Sequence, residues 1–432
     1  MRIAVIGSGI AGNAAAWSLA RRHDVVLYEQ DARAGGHSHT VTIDYDGVPT
    51  AVDTGFIVYN ERTYPNLTAL FEALGVATRP SDMSFALSAG GGRFEWSGQG
   101  PGAVFAQRSN LASPGFLWML REIVRFNRLA PADRAAGLMA GLSLGDYLDR
   151  RRFSGRFVRD YLTPMGAAIW SMSPSGMLDF PAETFVAFCE NHCLLTTSAA
   201  ARPVWRTVAG GSRRYVDRLL APLVGRIRLA TPVATIERSG SRPVVVDTRG
   251  EREAFDEVVV ATHSDQALAL LAEPTPAERA VLGAIGYRDN EVVLHRDPAL
   301  MPRRRAAWAS WNAISDADRR SLSVTYWMNR LQSIDPQRPL FVSLNPLAPP
   351  REDLVFARFA YAHPQFDRAA LAAQRRIGEI QGGRRTWFCG AWCGHGFHED
   401  GLVAGLDVAE ALGGSVPWRA APAAPAMAEA AE

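Results

Sequence analysis

Gly7, Gly9 and Gly12 punctuate the start of this chain as G-x-G-x-x-G, and few sequence features restrict a fold so tightly. Arg2–Ile6 before them is apolar and partly β-branched, as expected of a buried strand. A helix is expected from Ile10 to about Arg22, and Val25–Tyr28 reads as a second strand that ends on Glu29. Each position in such a start has a mechanical job. Gly7 permits the tight turn, Gly9 lets the backbone approach a pyrophosphate, and Gly12 lets the helix pack on the strand. Ser8, Ile10 and Ala11 share the turn, where the unpaired N–H groups of a helix start attract an anion. Glu29, with Gln30 beside it, stands where a carboxylate accepts ribose hydroxyls. A strand before, a helix after and an acid in place favour a bound dinucleotide over a ligand-free glycine turn.

Composition narrows the class. A length of 432 residues suits two interleaved domains rather than one small core, and a net charge of +2 implies no nucleic-acid partner. The chain contains no lysine, so all 46 basic residues are arginine and neither a Schiff base nor a lysine-held water is available. Cys189 and Cys193, like Cys389 and Cys393, are four residues apart. Even with His192, His395 and His398 nearby, that spacing fits zinc patterns poorly, so no metal is expected and the thiols read as reduced and buried. The uncharged stretch Tyr161–Leu178 carries Pro164, Pro174 and several serines, unlike a spanning helix. Met1 and Arg2 lead directly into the first strand, so no signal peptide is expected and the location reads as cytoplasmic.

Arg33, Gly35, Gly36, His37 and Ser38 extend the opening motif to E-x-x-x-R-x-G-G-H-S. This resembles the flavin-containing amine oxidase and phytoene desaturase superfamily. The resemblance implies an α/β fold in which a Rossmann-like FAD-binding domain of the glutathione-reductase type is interleaved with an α+β substrate domain. It implies non-covalent FAD, with Arg33 and Gly36 along the pyrophosphate and ribityl chain and His37 where many members have arginine. DTGFIVYN, Asp53 to Asn60, matches the D-x-G segment beside the isoalloxazine: Thr54, Gly55 and Phe56 would approach the ring, and Tyr59 and Asn60 would face the pocket. Val233 matches the adenine contact, and Ala261 and Thr262 end a buried strand that passes the cofactor. Gly390, Asp400, Gly401 and Leu402 match the segment that opens a helix beneath the flavin. The expected division is residues 1–75, 205–270 and 385–415 for FAD, 76–204 and 271–384 for substrate, and a disordered tail over 416–432.

No second dinucleotide fingerprint appears, so electrons are expected to enter from the substrate. The lack of lysine argues against ordinary amine oxidation, and desaturation needs only a hydride acceptor, an apolar tunnel and a place for one proton. Aromatic and methionine residues accumulate between Thr78 and Ala199, suited to a greasy substrate or to an ordinary core. AVIGSGIAG, GGHSHT, DTGFIVYN, PMGAAIWS and GAWCGHGFHEDGL resemble a bacterial branch of the superfamily, the methylated-fatty-acid desaturases of furan fatty acid synthesis. That resemblance implies a phospholipid-bound methylated monounsaturated acyl chain, such as 11-methyl-vaccenoyl. An amine, porphyrinogen or carotenoid oxidoreductase, a non-redox flavoprotein and a lipid-binding accessory protein remain alternatives. His395, His398 and Tyr59 are the candidates to take the substrate proton, although His398 and Glu399 fit a turn-holding role equally well. In Phe116–Leu129, Arg121, Arg125 and Arg128 share one helical face and Leu117, Leu120, Ile123 and Val124 another, with Trp118 and Phe126 flanking. Such a helix either packs on its own domain or lies on an anionic surface, which would make the protein peripheral to the inner membrane. Arg303–Arg305 reads as a solvated loop.

Overall fold

The computed structural model describes residues 1–196 and 203–419. A five-stranded parallel sheet carries the strands Ile227–Arg228, Asp24–Tyr28, Arg2–Ile6, Glu257–Val260 and Thr386–Phe388, in that spatial order. Val5 pairs with Leu27 on one side and Val259 on the other, and Val259 pairs with Trp387 beyond. A parallel sheet is covered on both faces, which is why its strands read as near-continuous Val and Ile runs without alternation. The helix Ile10–Leu19 is buried along its whole length and stops short of Arg21 and Arg22, which stand in solvent. It lies so close to its neighbours that a Cβ on Gly12 would sit 1.9 Å from the Gly7 carbonyl oxygen. On its other side the helix His398–Ala411 presses Gly405 to within 2.1 Å, measured from the Cβ it lacks, of the Ala11 carbonyl oxygen.

A second, seven-stranded sheet runs Val355–Gln365, Gly286–His295, Phe341–Leu344, Leu322–Trp327, Trp311–Ser315, Phe85–Ala89 and Phe94–Ser97. Its neighbours are antiparallel except Trp311–Ser315 against Phe85–Ala89. A helical lobe over 101–191 packs beside it around Phe116, Phe126, Tyr147, Phe157 and Phe185, all nearly inaccessible. Most aromatics of this region are therefore core. The fold is α/β, a Rossmann-like FAD-binding half interleaved with an α+β half.

Two expectations change, and one gains a second role. Arg303–Arg305 is a loop with Arg303 and Arg305 exposed, yet the backbone N–H groups of Arg303 and Arg304 and the Arg304 guanidinium all donate to the fully buried Glu95, and Arg305 lies 3.7 Å over Trp308. A buried carboxylate needs such partners, and this run supplies them. The helix Pro114–Ala135 does not separate its arginines from its apolar residues. It buries Phe116, Met119, Phe126 and Ala130, and Arg125 folds over Phe153, which leaves Leu117, Arg121, Val124 and Arg128 in one outward stripe beside exposed Trp118. Finally, residues 416–419 are no tail. Trp418 stacks on Trp17 and Arg419 pairs with Asp407 and Glu410, while 420–432 lies outside the described residues. No helix among the described residues is long and apolar enough to cross a membrane.

Candidate cofactor and substrate site

The carboxyl ends of the parallel strands converge on one cavity of about 1110 Å³, as expected where a sheet of this type binds its ligand. At this end the wall is built from Gly7, Ser8, Gly9, Ile10 and Ala11, then Glu29, Gln30 and Arg33, then Gly36 and His37. Thr54, Gly55 and Phe56 continue it, and Val233, Ala261, Thr262 and Gly390 close it. Six expected cofactor residues stand behind the wall instead. Gly12, Gly35 and Gly401 let backbones approach: a Cβ on Gly35 would meet the Ser38 carbonyl oxygen at 2.7 Å, and one on Gly401 the Ile10 side chain at 2.9 Å. Ser38 bonds to the Tyr215 hydroxyl. Asp400 does not meet the cavity, because its carboxylate turns back to accept the Phe397 N–H at 2.9 Å, and Leu402 is fully buried.

The residues present fit a dinucleotide. Glu29 accepts the N–H and hydroxyl of Ser8 at 2.9 and 2.5 Å and the Asp31 N–H at 2.9 Å, so it shapes the turn and keeps acceptor capacity to spare. Arg33 Nη1 and His37 Nε2 are buried without a hydrogen-bond partner among the described residues, which suits contacts to a bound polar group. The space around the missing Cβ of Gly9 is open to 4 Å. Asp53 does not reach the cavity. It accepts from Ser212 N and Oγ, Thr40 Oγ1 and Gln332 Nε2, which anchors the Thr54–Phe56 turn, and burial raises its pKa to about 6. Cys389 and Cys393 are free thiols that do not belong to the cavity wall.

Of the proton-acceptor candidates, Tyr59 is overturned. The pair Tyr59↔Arg206 places it in a short strand beside Trp205–Val208, and its ring goes into the core against Phe71 and Tyr64. Asn60 is equally buried and accepts the Arg62 and Thr63 N–H groups, so Ile57 and Val58 face the cavity instead. His398 does reach the wall. Its ring stacks on Phe56 at 3.9 Å, its Nε2 is hydrogen-bonded with the Tyr215 hydroxyl at 2.6 Å, and burial pulls its pKa down to about 3. That describes a fixed neutral ring. Glu399 accepts the N–H groups of Asn66 and Leu67 and so caps the helix Pro65–Ala73, a different helix from its own. His395 stands on the wall near Phe188.

Sequence reasoning missed the far wall. Seven of the nine histidines line this cavity: His37, His39, His192, His263, His363, His395 and His398. Burial, the largest cause, holds His37 well below the usual imidazole range, and lowers His39, His192 and His363 to about 4. These rings are therefore neutral near pH 7. Tyr361 is hydrogen-bonded with His39 Nδ1 and Thr54 Oγ1, both at 2.7 Å, and burial raises its pKa. Phe359, Tyr361 and His363 alternate along Val355–Gln365 and so share one face, a period-two signal that was present in FARFAYAHP.

A cavity that joins a dinucleotide turn to a largely apolar chamber fits a flavin-dependent oxidoreductase with FAD as cofactor. The chain belongs to the flavin-containing amine oxidoreductase family, whose profile matches residues 10–294. It is 34% identical over 176 residues to the carotenoid phi-ring synthase of Streptomyces griseus, a match that covers 35% of this chain and 31% of that protein. The chain thus spans about a third of that relative's length. Among solved structures, putrescine oxidase bound to putrescine aligns with a TM-score of 0.65 at 16% identity, over 95% of this chain and 99% of the other. The fatty acid isomerase of P. acnes that produces CLA aligns at 0.66 and 15%, over 94% and 97%. A putative protoporphyrinogen oxidase from Exiguobacterium sp. 255-15 aligns at 0.65 and 18%, over 95% and 98%. These likenesses establish the fold.

Proposed function

We propose that the protein desaturates a methylated monounsaturated acyl chain carried on a phospholipid. The observation that carries this reading is the wall beyond the cofactor end. Phe85, Met165, Ile169, Trp170, Phe188 and Phe359 make it apolar, and Arg33 is the one cationic side chain of the wall among the described residues. An amine substrate would bring in a cation, for which the exposed Asp289 is the one acid on the wall beyond the dinucleotide turn among the described residues, so the apolar side chains favour a hydrocarbon. Alkene formation removes two hydrogens and two electrons from adjacent carbons. A bound flavin supplies the acceptor for one hydrogen with the electron pair; the other hydrogen leaves as a proton. His395 and the Tyr361–His39 pair are wall groups able to receive it. As the Tyr361 oxygen accepts, its own proton passes to neutral His39, which is half-buried and hands it outward. The exposed stripe Leu117, Trp118, Arg121, Val124 and Arg128 supports lipid delivery from an anionic membrane surface.

A carotenoid substrate is the second reading, favoured by the phi-ring synthase match. Anaerobic mixing separates the two. Vesicles with methylated monounsaturated acyl chains are expected to bleach the flavin of wild-type protein, and a linear carotene is not. His395→Ala or Tyr361→Phe is expected to slow the bleaching by roughly 10²–10⁴-fold with FAD retained. Bleaching by the carotene alone overturns the acyl reading, and wild-type rates in both variants overturn the proton assignment.

A further inference from the structure

Trp311 and Tyr326 are directly paired residues on neighbouring antiparallel strands, with ring centroids 4.9 Å apart, and both line the cavity. The indole N–H of Trp311 is buried and has no hydrogen-bond partner among the described residues. The Tyr326 hydroxyl makes no hydrogen bond among them either, and burial alone raises its pKa. Elsewhere on or behind this cavity the hydroxyls of Tyr215, Tyr287 and Tyr361 have partners. The Tyr64 hydroxyl and the Trp170 indole N–H have none among the described residues, but neither stands in a directly paired couple as Trp311 and Tyr326 do. Leaving a buried donor unpaired is costly, so two adjacent unpaired donors call for an acceptor that is not part of the protein.

The surroundings decide what kind of acceptor. Phe85, Val292, Val342 and Leu344 frame the pair, and Arg33 belongs to the dinucleotide turn. Both donors are uncharged. A carboxylate would lose its hydration here without gaining a cation, and a pure hydrocarbon would leave both donors unpaired. We propose that Trp311 and Tyr326 form a subsite for the uncharged carbonyl oxygen of an acyl ester, a step that rests on the acyl-lipid reading above. The ester end of the substrate is held there, and its hydrocarbon lies along the apolar wall. The subsite thereby selects an esterified chain over a free fatty acid and over a carotene.

Binding tests this without turnover. FAD-loaded protein is titrated calorimetrically, in a nonionic detergent, with methyl oleate, oleate and a straight-chain octadecene. Wild type is expected to bind the methyl ester tightest. Tyr326→Phe, which deletes only an unpaired hydroxyl, is expected to weaken the ester about two- to tenfold and to leave octadecene unchanged. Trp311→Phe should act alike, with retained FAD as the check on its fold. Equal ester affinity in wild type and both variants overturns the subsite, as does absence of ester binding to wild type. Oleate or octadecene bound as tightly as the ester overturns its selectivity. Variant-sensitive ester binding in a protein whose flavin no acyl lipid bleaches leaves the subsite standing and removes the desaturase reading.

Discussion

Replacing Gly9 by valine separates the cofactor from the fold. Gly9 precedes the first helix with φ −67° and ψ −178°, an extended conformation that valine adopts without strain. A Cβ there meets no atom within 4 Å, so the added methyl groups displace no protein. They enter the space where the pyrophosphate meets the helix start. That contact contributes up to about 2 kcal/mol for an anion at a partly buried helix N-terminus, and steric overlap adds to the loss. A loss of about 3 kcal/mol or more, over a hundredfold in affinity, is expected. Protein with FAD at a thousandfold excess over Kd gains about 4 kcal/mol of stability by mass action, and the variant forfeits most of it. The assay is thermal unfolding with and without added FAD, together with the flavin-to-protein ratio after purification. Wild type and Gly9→Val should unfold alike without FAD, and only wild type should be stabilised by it. A variant that purifies fully yellow refutes the pyrophosphate assignment. One that unfolds early without FAD refutes the claim of open space. Gly12→Ala is the contrast: its Cβ would collide with the Gly7 carbonyl, so it should lower stability even without flavin.

Two further outcomes follow from features away from that turn. Co-sedimentation with anionic vesicles should weaken at high salt, and Arg121→Gln with Arg128→Gln should reduce it about thirtyfold, at about 1 kcal/mol per arginine; unchanged sedimentation removes the membrane stripe. FAD-free protein should lose stability as pH falls from 6.5 towards 4, because the unfolded chain protonates His363 and His398 near 6.5 while the folded pKa values are about 4 and about 3. The loss is about 3 kcal/mol per histidine on that scale, and a flat unfolding temperature across this range would show the rings to be charged or solvated.

The phosphate end was legible because its chemistry is local. A turn, a helix start and a strand-end acid must lie within thirty or so residues of one another, and G-x-G-x-x-G with Glu29 records all three. The far wall was not, because it is assembled across the sheet from strands at 85, 292, 311, 326, 342 and 361 whose order no local pattern reveals. Tyr59 failed by register: in a two-residue strand one step of alternation sends a ring to the core instead of the cavity. The Pro114–Ala135 helix failed by face. Its periodicity was real, but arginine stems and scattered leucines leave open which stripe the lobe covers. Glu399 was expected to hold its own turn, and distant pairing makes it the cap of the helix Pro65–Ala73.

The interleaving of the parallel sheet also sets an order of assembly during synthesis. Arg2–Ile6 emerges first, but its partner Glu257–Val260 follows about 250 residues later and the outer strand Thr386–Phe388 later still. Until then the nascent chain carries an unfinished strand edge, the kind of surface that invites wrong pairing. The anion-binding turn exists early, yet the Ala261–Thr262 and Gly390 walls that enclose its ligand do not. No continuous fragment from Arg2 that stops before residue 386 contains the whole pocket, so the flavin site is complete only once the strand Thr386–Phe388 and the Gly390 turn have been made.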